Sequence, residues 1–251
     1  MTTTNRPDIF IVGTMKGGTT ILHEFLAHHP LIHSGREKEI HYFSLYESKG
    51  LDWYHGQFEG LPAGQHYMDA SPTYFDMTNA PVIPNKINAY NPDARVIMLS
   101  RHPIQRAVSH FNHLKKVNQI NALDNVTADE FLSRSTDLAM AGTSAADIFL
   151  QHVLDFSCYY RKALHYKRIF GDRFMVIDNA SLSRDPQQTM QRAFRHVGVD
   201  PISSPAFGER KYSHMSKDEA QISAQTHARL TALFQPNYRA FCKLVGVDFE
   251  W

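Results

Sequence analysis

The sequence predicts an α/β fold, a central parallel sheet with helices on both faces, in a single domain over residues 1–251. Three observations point there. Short apolar runs ending in turn residues stand at 8–14, 65–69, 95–100 and 173–178 and read as buried strands. Stretches of helical period stand between and after them, at 19–28, 78–90, 103–117, 145–166, 186–197 and 218–233. Strands that alternate with helices imply a parallel sheet covered on both sides, with ligands taken at the strands' carboxyl ends. The third observation is that two of the predicted strands run directly into sequences suited to bind anions.

The first of these is Ile9-Phe-Ile-Val-Gly-Thr-Met-Lys16-Gly17-Gly18-Thr19-Thr20. A buried strand empties into a glycine-rich turn and then a helix start, so backbone N–H groups and the positive helix end converge on one spot. Glycine lets the backbone approach a phosphate closely, and Lys16 adds a full charge to the partial ones. The loop is P-loop-like but not a nucleoside-triphosphatase P-loop. There the lysine follows the last glycine, whereas here Lys16 precedes Gly17-Gly18. A triphosphatase would also need a Mg²⁺-holding carboxylate on a neighbouring strand, which Asp178 could supply. A plain strand–turn–helix with a solvated lysine is the remaining alternative.

The second is the end of the 95–100 strand, which leads into Arg101-His102-Pro103-Ile104-Gln105-Arg106-Ala107-Val108-Ser109. Pro103 suits a first helical position, and Val108, Phe111 and Leu114 recur at roughly helical spacing. Arg101 thus stands at a strand end and Ser109 about two turns into a helix. A planar fork of donors and a hydroxyl make a good pair for a phosphate monoester. Further on, Thr127 and Glu130 form a capping box, and Asp185-Pro186 with Gly198 brackets the 186–197 helix.

With these motifs in view, the chain resembles the PAPS-dependent sulfotransferases, and within them the heparan sulfate sulfotransferase type and its bacterial relatives. Besides the first loop and Arg101-x-Pro103-x-x-Arg106-Ala107-x-Ser109, four stretches carry the resemblance in the right order. They are Lys38-Glu39-Ile-His41-Tyr-Phe43, Asp69-Ala-Ser71-Pro72-Thr-Tyr74-Phe75, the Phe156-Ser157-Cys-Tyr159 region, and Phe234-x-Pro236-Asn237 with the ending Leu244 to Trp251. The resemblance implies the sulfotransferase fold and 3′-phosphoadenosine 5′-phosphosulfate (PAPS, product PAP) as co-substrate. Lys16, Gly17, Gly18, Thr19 and Thr20 would hold the 5′-phosphosulfate, and Arg101 and Ser109 the 3′-phosphate. Tyr159 would lie near the nucleotide, and Arg210 and Lys211 would form a basic loop over it, with Lys217 an alternative. An ordinary solvated basic turn at 210–212 fits the sequence equally well.

Sulfuryl transfer resembles phosphoryl transfer, in line and loose, with charge building on the leaving and equatorial oxygens. It needs a cation by the leaving oxygen and a base by the incoming hydroxyl. Lys16 is the cation, and the resemblance places the base at Glu39, with Glu37 a weaker alternative and His41 beside it in the catalytic set. The plain alternative has Glu39 pairing with Lys38 or Arg36 on a polar loop. No metal is required. One departure concerns the acceptor: the heparan-type enzymes carry a lysine where this chain has Ala70.

Composition narrows the rest. The chain has 251 residues, 43% hydrophobic and 20% charged, with a net charge of +1, so nothing draws it globally to nucleic acid or to an anionic membrane. Cys158 and Cys242 make no disulfide framework. Neither a secretory leader nor an eighteen-residue apolar run is visible, which leads us to expect a cytoplasmic protein. Among the fifteen histidines, His28 and His29 are adjacent and would face different directions on a helix, while His110 and His113 stand at i, i+3 with no carboxylate placed to complete a zinc site. Trp53, Tyr74, Phe75, Tyr159 and Trp251 are expected mostly in the core. The expected function is transfer of a sulfuryl group to a hydroxyl of a small-molecule, lipid or saccharide acceptor. A Mg-ATP kinase or hydrolase, and a non-catalytic nucleotide binder, are the alternatives.

Overall fold

An all-parallel sheet is built from strands in the first hundred residues and one near residue 175. Its strands are β1 (Ile9–Gly13), β2 (Ile32–Ser34), β3 (His66–Ala70), β4 (Arg95–Ser100) and β5 (Phe174–Asp178), in spatial order β2-β3-β1-β4-β5. The computed structural model describes residues 5–76, 79–117, 125–141, 148–209, 222–246 and 251. The chain divides into two compact units. One comprises Met1–Ser100 with Lys162–Lys211 and the other Arg101–Arg161 with Tyr212–Trp251.

In the first unit β1 is the central strand, buried along its whole length. Because side chains alternate along a strand, its two sets face two layers. Ile9 and Ile11 pack into a core with Leu22 and Leu26 of α1 (Thr19–Leu26), Leu182 of α8 (Asn179–Arg184) and Met190 and Phe194 of α9 (Pro186–Val197). Phe10 points the other way and meets Phe43 at 6.1 Å between ring centroids. An aromatic layer continues from there to Tyr90 on α3 (Ile83–Tyr90), and Tyr166 of α7 (Tyr160–Phe170) packs on Phe75. Helices therefore cover both faces, as the alternating sequence pattern implies. The loops that follow β1 and β3 open at one end of the sheet.

The second unit is helical. Its elements are α4 (Pro103–Lys116), α5 (Ala128–Ala141), α6 (Ile148–Asp155) and α10 (Ala224–Val245), packed around Val108, Phe111, Phe131, Leu154, Leu230 and Phe234. The capping box at the start of α5 is present: the Thr127 N–H donates to Glu130 Oε2 at 2.8 Å, and the Glu130 N–H to Thr127 Oγ1 at 3.2 Å. Both cysteines are free thiols.

Four sequence expectations are corrected. The predicted 145–166 helix is two helices, α6 and α7, because the chain turns at Phe156–Tyr159 to make tertiary hydrogen bonds. The 218–233 helix begins at Ala224 and runs on through Pro236 to Val245, because Leu230, Phe234, Tyr238 and Phe241 keep one buried face across the proline. Short β2 and the α2 helix (Gly50–Gly56) were not foreseen. Trp251 is not core: it is 37% exposed, with its ring 4.8 Å from that of His102.

Candidate active site

The loop after β1 is held from below by backbone and from the side by one amide. The Thr14 N–H donates to the Leu99 carbonyl at 3.0 Å, and the Gly17 N–H to the Thr14 carbonyl at 2.8 Å. Asn179 Nδ2 donates to the Gly17 carbonyl at 2.9 Å, a contact between residues 162 apart. A Cβ on Gly17 would lie 2.9 Å from both the Leu99 and Thr14 carbonyl oxygens, so the turn lies too close to β4 for any side chain. Gly18 caps α1 with φ at 107°. Such a tight, side-chain-free turn opening a helix fits an anionic group. Lys16 adopts φ 64°, the left-handed region, at the loop's crest. Thr19 is buried and Thr20 exposed.

One expected result follows directly. In Gly18→Ala the new Cβ would meet Asn179 Nδ2 at 2.5 Å in a backbone form that L-residues avoid. Displacing Asn179 unpins the loop, so the variant should lose about 1–3 kcal/mol of stability in urea unfolding and weaken PAP binding in calorimetry.

Asp178, the carboxylate a triphosphatase would need, is engaged as the N-cap of α8, accepting the Ser181 N–H at 3.1 Å. Among the described residues, no group of three or more His, Cys, Asp or Glu side chains is placed to hold a metal ion.

The second element of the site is the segment between β2 and the π-helical turn Tyr42–Tyr46. Glu39 and His41 have φ of 67° and 54°. With Lys16 they are the three non-glycine residues in the left-handed region among the described residues. The His41 Nε2 lies 3.6 Å from Glu39 Oε2, and Lys38 Nζ pairs with Glu39 Oε1. The nearby His41 ring is the largest cause holding the Glu39 carboxyl down at about 2, with Lys38 reinforcing it against partial burial. Glu39 is therefore ionised at any working pH. Arg36 pairs with Glu59 instead, at 3.3 Å.

The segment is fastened by a hub on β3. Asp69 is fully buried and accepts three hydroxyl donors: Tyr54 and Tyr74 at 2.8 Å each, and Ser71 at 2.6 Å. Ser71 Oγ in turn accepts the His41 N–H at 2.9 Å. The Thr73 hydroxyl completes the frame, 2.8 Å from His41 Nδ1 and 2.7 Å from Ser44 Oγ. Burial pushes the Asp69 carboxyl above its ordinary value, and the three hydroxyls oppose that rise.

A histidine that sequence reasoning missed links α1 to this segment. His23, one turn into the helix that the glycine loop opens, places Nε2 2.9 Å from Ser34 Oγ. Burial first, then the Lys38 charge, lowers it to about 4, while Glu39 acts in the opposite direction. The helix from the anion loop and the Lys38–Glu39 pair are thus within electrostatic reach of each other.

In the second unit, Arg101 is buried at the start of α4 and Ser109 is half-buried two turns on. The Tyr159 hydroxyl is fully buried and donates to the Arg101 carbonyl at 2.7 Å, so this tyrosine positions the arginine's backbone. Arg106, part of the quoted motif but given no role by the sequence, is wholly buried. Its Nε donates to Ser157 Oγ at 2.6 Å, it hydrogen-bonds Val153 O, and its Nη1 lies 3.1 Å from His110 Nδ1. Burial lowers its pKa to about 10, which leaves it charged. Ser157 donates onward to the Pro103 carbonyl at 2.8 Å, binding the Phe156–Tyr159 turn to the helix start. The proposed nucleotide-covering residues Arg210 and Lys211 lie outside the described residues, as does Lys217.

Against known families, residues 6–235 match the model of the sulfotransferase domain. The chain belongs to the sulfotransferase family. As a sulfotransferase-family protein it is similar to human heparan sulfate glucosamine 3-O-sulfotransferase 3B1, 27% identical over 267 residues and covering 98% of this chain. It spans 65% of that relative's length, a little under two thirds. Mouse heparan sulfate glucosamine 3-O-sulfotransferase 6 is 26% identical, over 98% of this chain and 73% of the relative. Among solved structures, a sulfotransferase from Alicyclobacillus acidocaldarius superposes with a TM-score of 0.78 at 23% identity, covering 97% of both chains. Mouse sulfotransferase SULT7A1 complexed with PAP gives 0.60 at 14% identity, covering 93% of this chain and 84% of that one. These structures show that the fold is the sulfotransferase fold.

Proposed function

We propose that the protein transfers a sulfuryl group from PAPS to an acceptor hydroxyl. The observation that carries this reading is the pair of left-handed elements in one unit, a lysine on a glycine anion loop and a carboxylate held ionised by His41 and Lys38. Lys16, Gly17, Gly18, Thr19 and Thr20 take the 5′-phosphosulfate, and Arg101 and Ser109 the 3′-phosphate. Glu39 accepts the proton of the acceptor hydroxyl as its oxygen bonds to sulfur. The bond between sulfur and the bridging oxygen breaks, and Lys16 offsets the negative charge left on that oxygen. His41 orients Glu39, and arrival of a hydroxyl that displaces Lys38 or His41 from the carboxylate would restore its basicity.

Calorimetric titration with PAP, beside ADP and Mg²⁺–ATP, tests the nucleotide assignment. Metal-independent binding that prefers PAP, and that weakens about 10- to 100-fold in Arg101→Ala, is the expected result. Preference for Mg²⁺–ATP, or indifference to the 3′-phosphate, would overturn it.

A further inference from the structure

The geometry points to an acceptor with an uncharged, apolar body, seated against the surface that leads away from the Glu39–His41 segment. This rests on the sulfuryl-transfer reading and names the substrate class of the same site. The polar side of the π-helical turn faces inward, where Ser44 meets Thr73 beside His41. The Leu45 N–H donates to the His41 carbonyl at 2.8 Å, so Leu45 stands one turn of chain from the proposed catalytic segment. Leu45 is 58% exposed, Tyr46 39% and Leu51 46%. Three large apolar side chains within seven residues of the chain are thus left in solvent, close in sequence to the Glu39–His41 segment. Isolated exposed leucines need no explanation, but three large apolar side chains exposed within seven residues beside the proposed catalytic segment do.

Charge decides what such a surface can take. Residues 36–59 carry three cations and five carboxylates, an excess of negative charge that repels a polyanionic chain. The cations present are also engaged. Arg36 pairs with Glu59 and Lys38 with Glu39, while the Lys49 ammonium lies 4.3 Å from the Tyr46 ring centroid and 4.2 Å from that of Trp53. Lys86, on the neighbouring α3, pairs with Glu47. Lys49 braces the aromatic rings, with its stem covering apolar surface. An alcohol joined to an alkyl or aryl body fits this surface, and a sulfated or carboxylated glycan does not.

The test uses methyl, hexyl and decyl β-glucosides below their micellisation thresholds, beside a heparan sulfate oligosaccharide. Direct binding to the PAP-loaded protein is measured by calorimetry, and transfer is followed with PAPS. A fully buried methylene strengthens binding about fourfold, so hexyl should exceed methyl by tenfold or more in both affinity and kcat/KM. Leu45→Ala with Leu51→Ala should flatten that dependence while PAP affinity stays unchanged, which also shows that the variant is folded. Chain-length-dependent binding without transfer would uphold the surface and sink the sulfuryl-transfer reading. Transfer that ignores chain length or favours the oligosaccharide, and equally an absence of glucoside binding, would overturn the inference.

Discussion

Glu39→Gln is expected to lower kcat by about 10²- to 10⁴-fold, the range associated with losing a positioned general base. Glutamine keeps the length and one acceptor oxygen of the side chain, so it removes the charge with little change of shape. PAP affinity should stay within about twofold, because the nucleotide assignment rests on Lys16, the glycine turn and Arg101. Calorimetry and steady-state kinetics on one preparation separate these outcomes. If kcat survives in Glu39→Gln, the Lys38–Glu39 contact is an ordinary surface pair and the base lies elsewhere. The pH profile gives an independent check. With the carboxyl held at about 2, Glu39 takes up its proton only as the pH falls towards that value. Any loss of activity in the free enzyme near pH 4–5 should therefore persist in Glu39→Gln. The depressed value also has a stability consequence. The stabilisation from this pair is complete above the ordinary carboxylate range and is lost as the pH falls through it towards 2.

The second large effect is structural. Asp69→Ala should cost about 3–5 kcal/mol of folding stability, because the Tyr54, Tyr74 and Ser71 hydroxyls lose one shared acceptor in a fully buried place. For a chain of this length that corresponds to a fall of about 10 °C in Tm. Asp69→Asn, which keeps one oxygen, should lose roughly half as much. The two variants also differ from a plain core lesion in what they do to the site. Ser71 hands the hub's hydrogen bonding on to the His41 N–H, so both should impair kcat more than PAP binding. Equal loss of both in Asp69→Asn would mean that the hub supports the fold alone.

Much of this architecture is legible in the sequence. The strand at 9–13 and the turn after it announce themselves, because four apolar residues meet two glycines. Likewise β4 and α4 are delimited by Ser100 and Pro103, and α9 by Asp185-Pro186 and Gly198, each a local stop or start signal. What resists reading is contact at long range. Asn179 holds Gly17, Asp69 takes the Tyr54 hydroxyl, and Arg106 reaches Ser157, none with a spacing that a window could detect. The break between α6 and α7 carries no Gly or Pro, since tertiary hydrogen bonds from Ser157 and Tyr159 make it. The three-residue β2 is too short for periodicity to register. The candidate residues Lys16 and Arg101 are legible in the anion-binding pattern at two strand ends, and Glu39 through the family resemblance. The left-handed backbone at Glu39 and His41 is not, since neither residue type advertises it.

That backbone geometry sets a limit on redesign. At Lys16, Glu39 and His41 an L-residue gives up about 1 kcal/mol relative to glycine, so a procedure that ranks substitutions by folding stability would favour glycine at all three. It would thereby erase the proposed cation, base and orienting imidazole together. Heat-resistant versions of this protein should accordingly be sought by holding these three positions fixed and changing the scaffold around them.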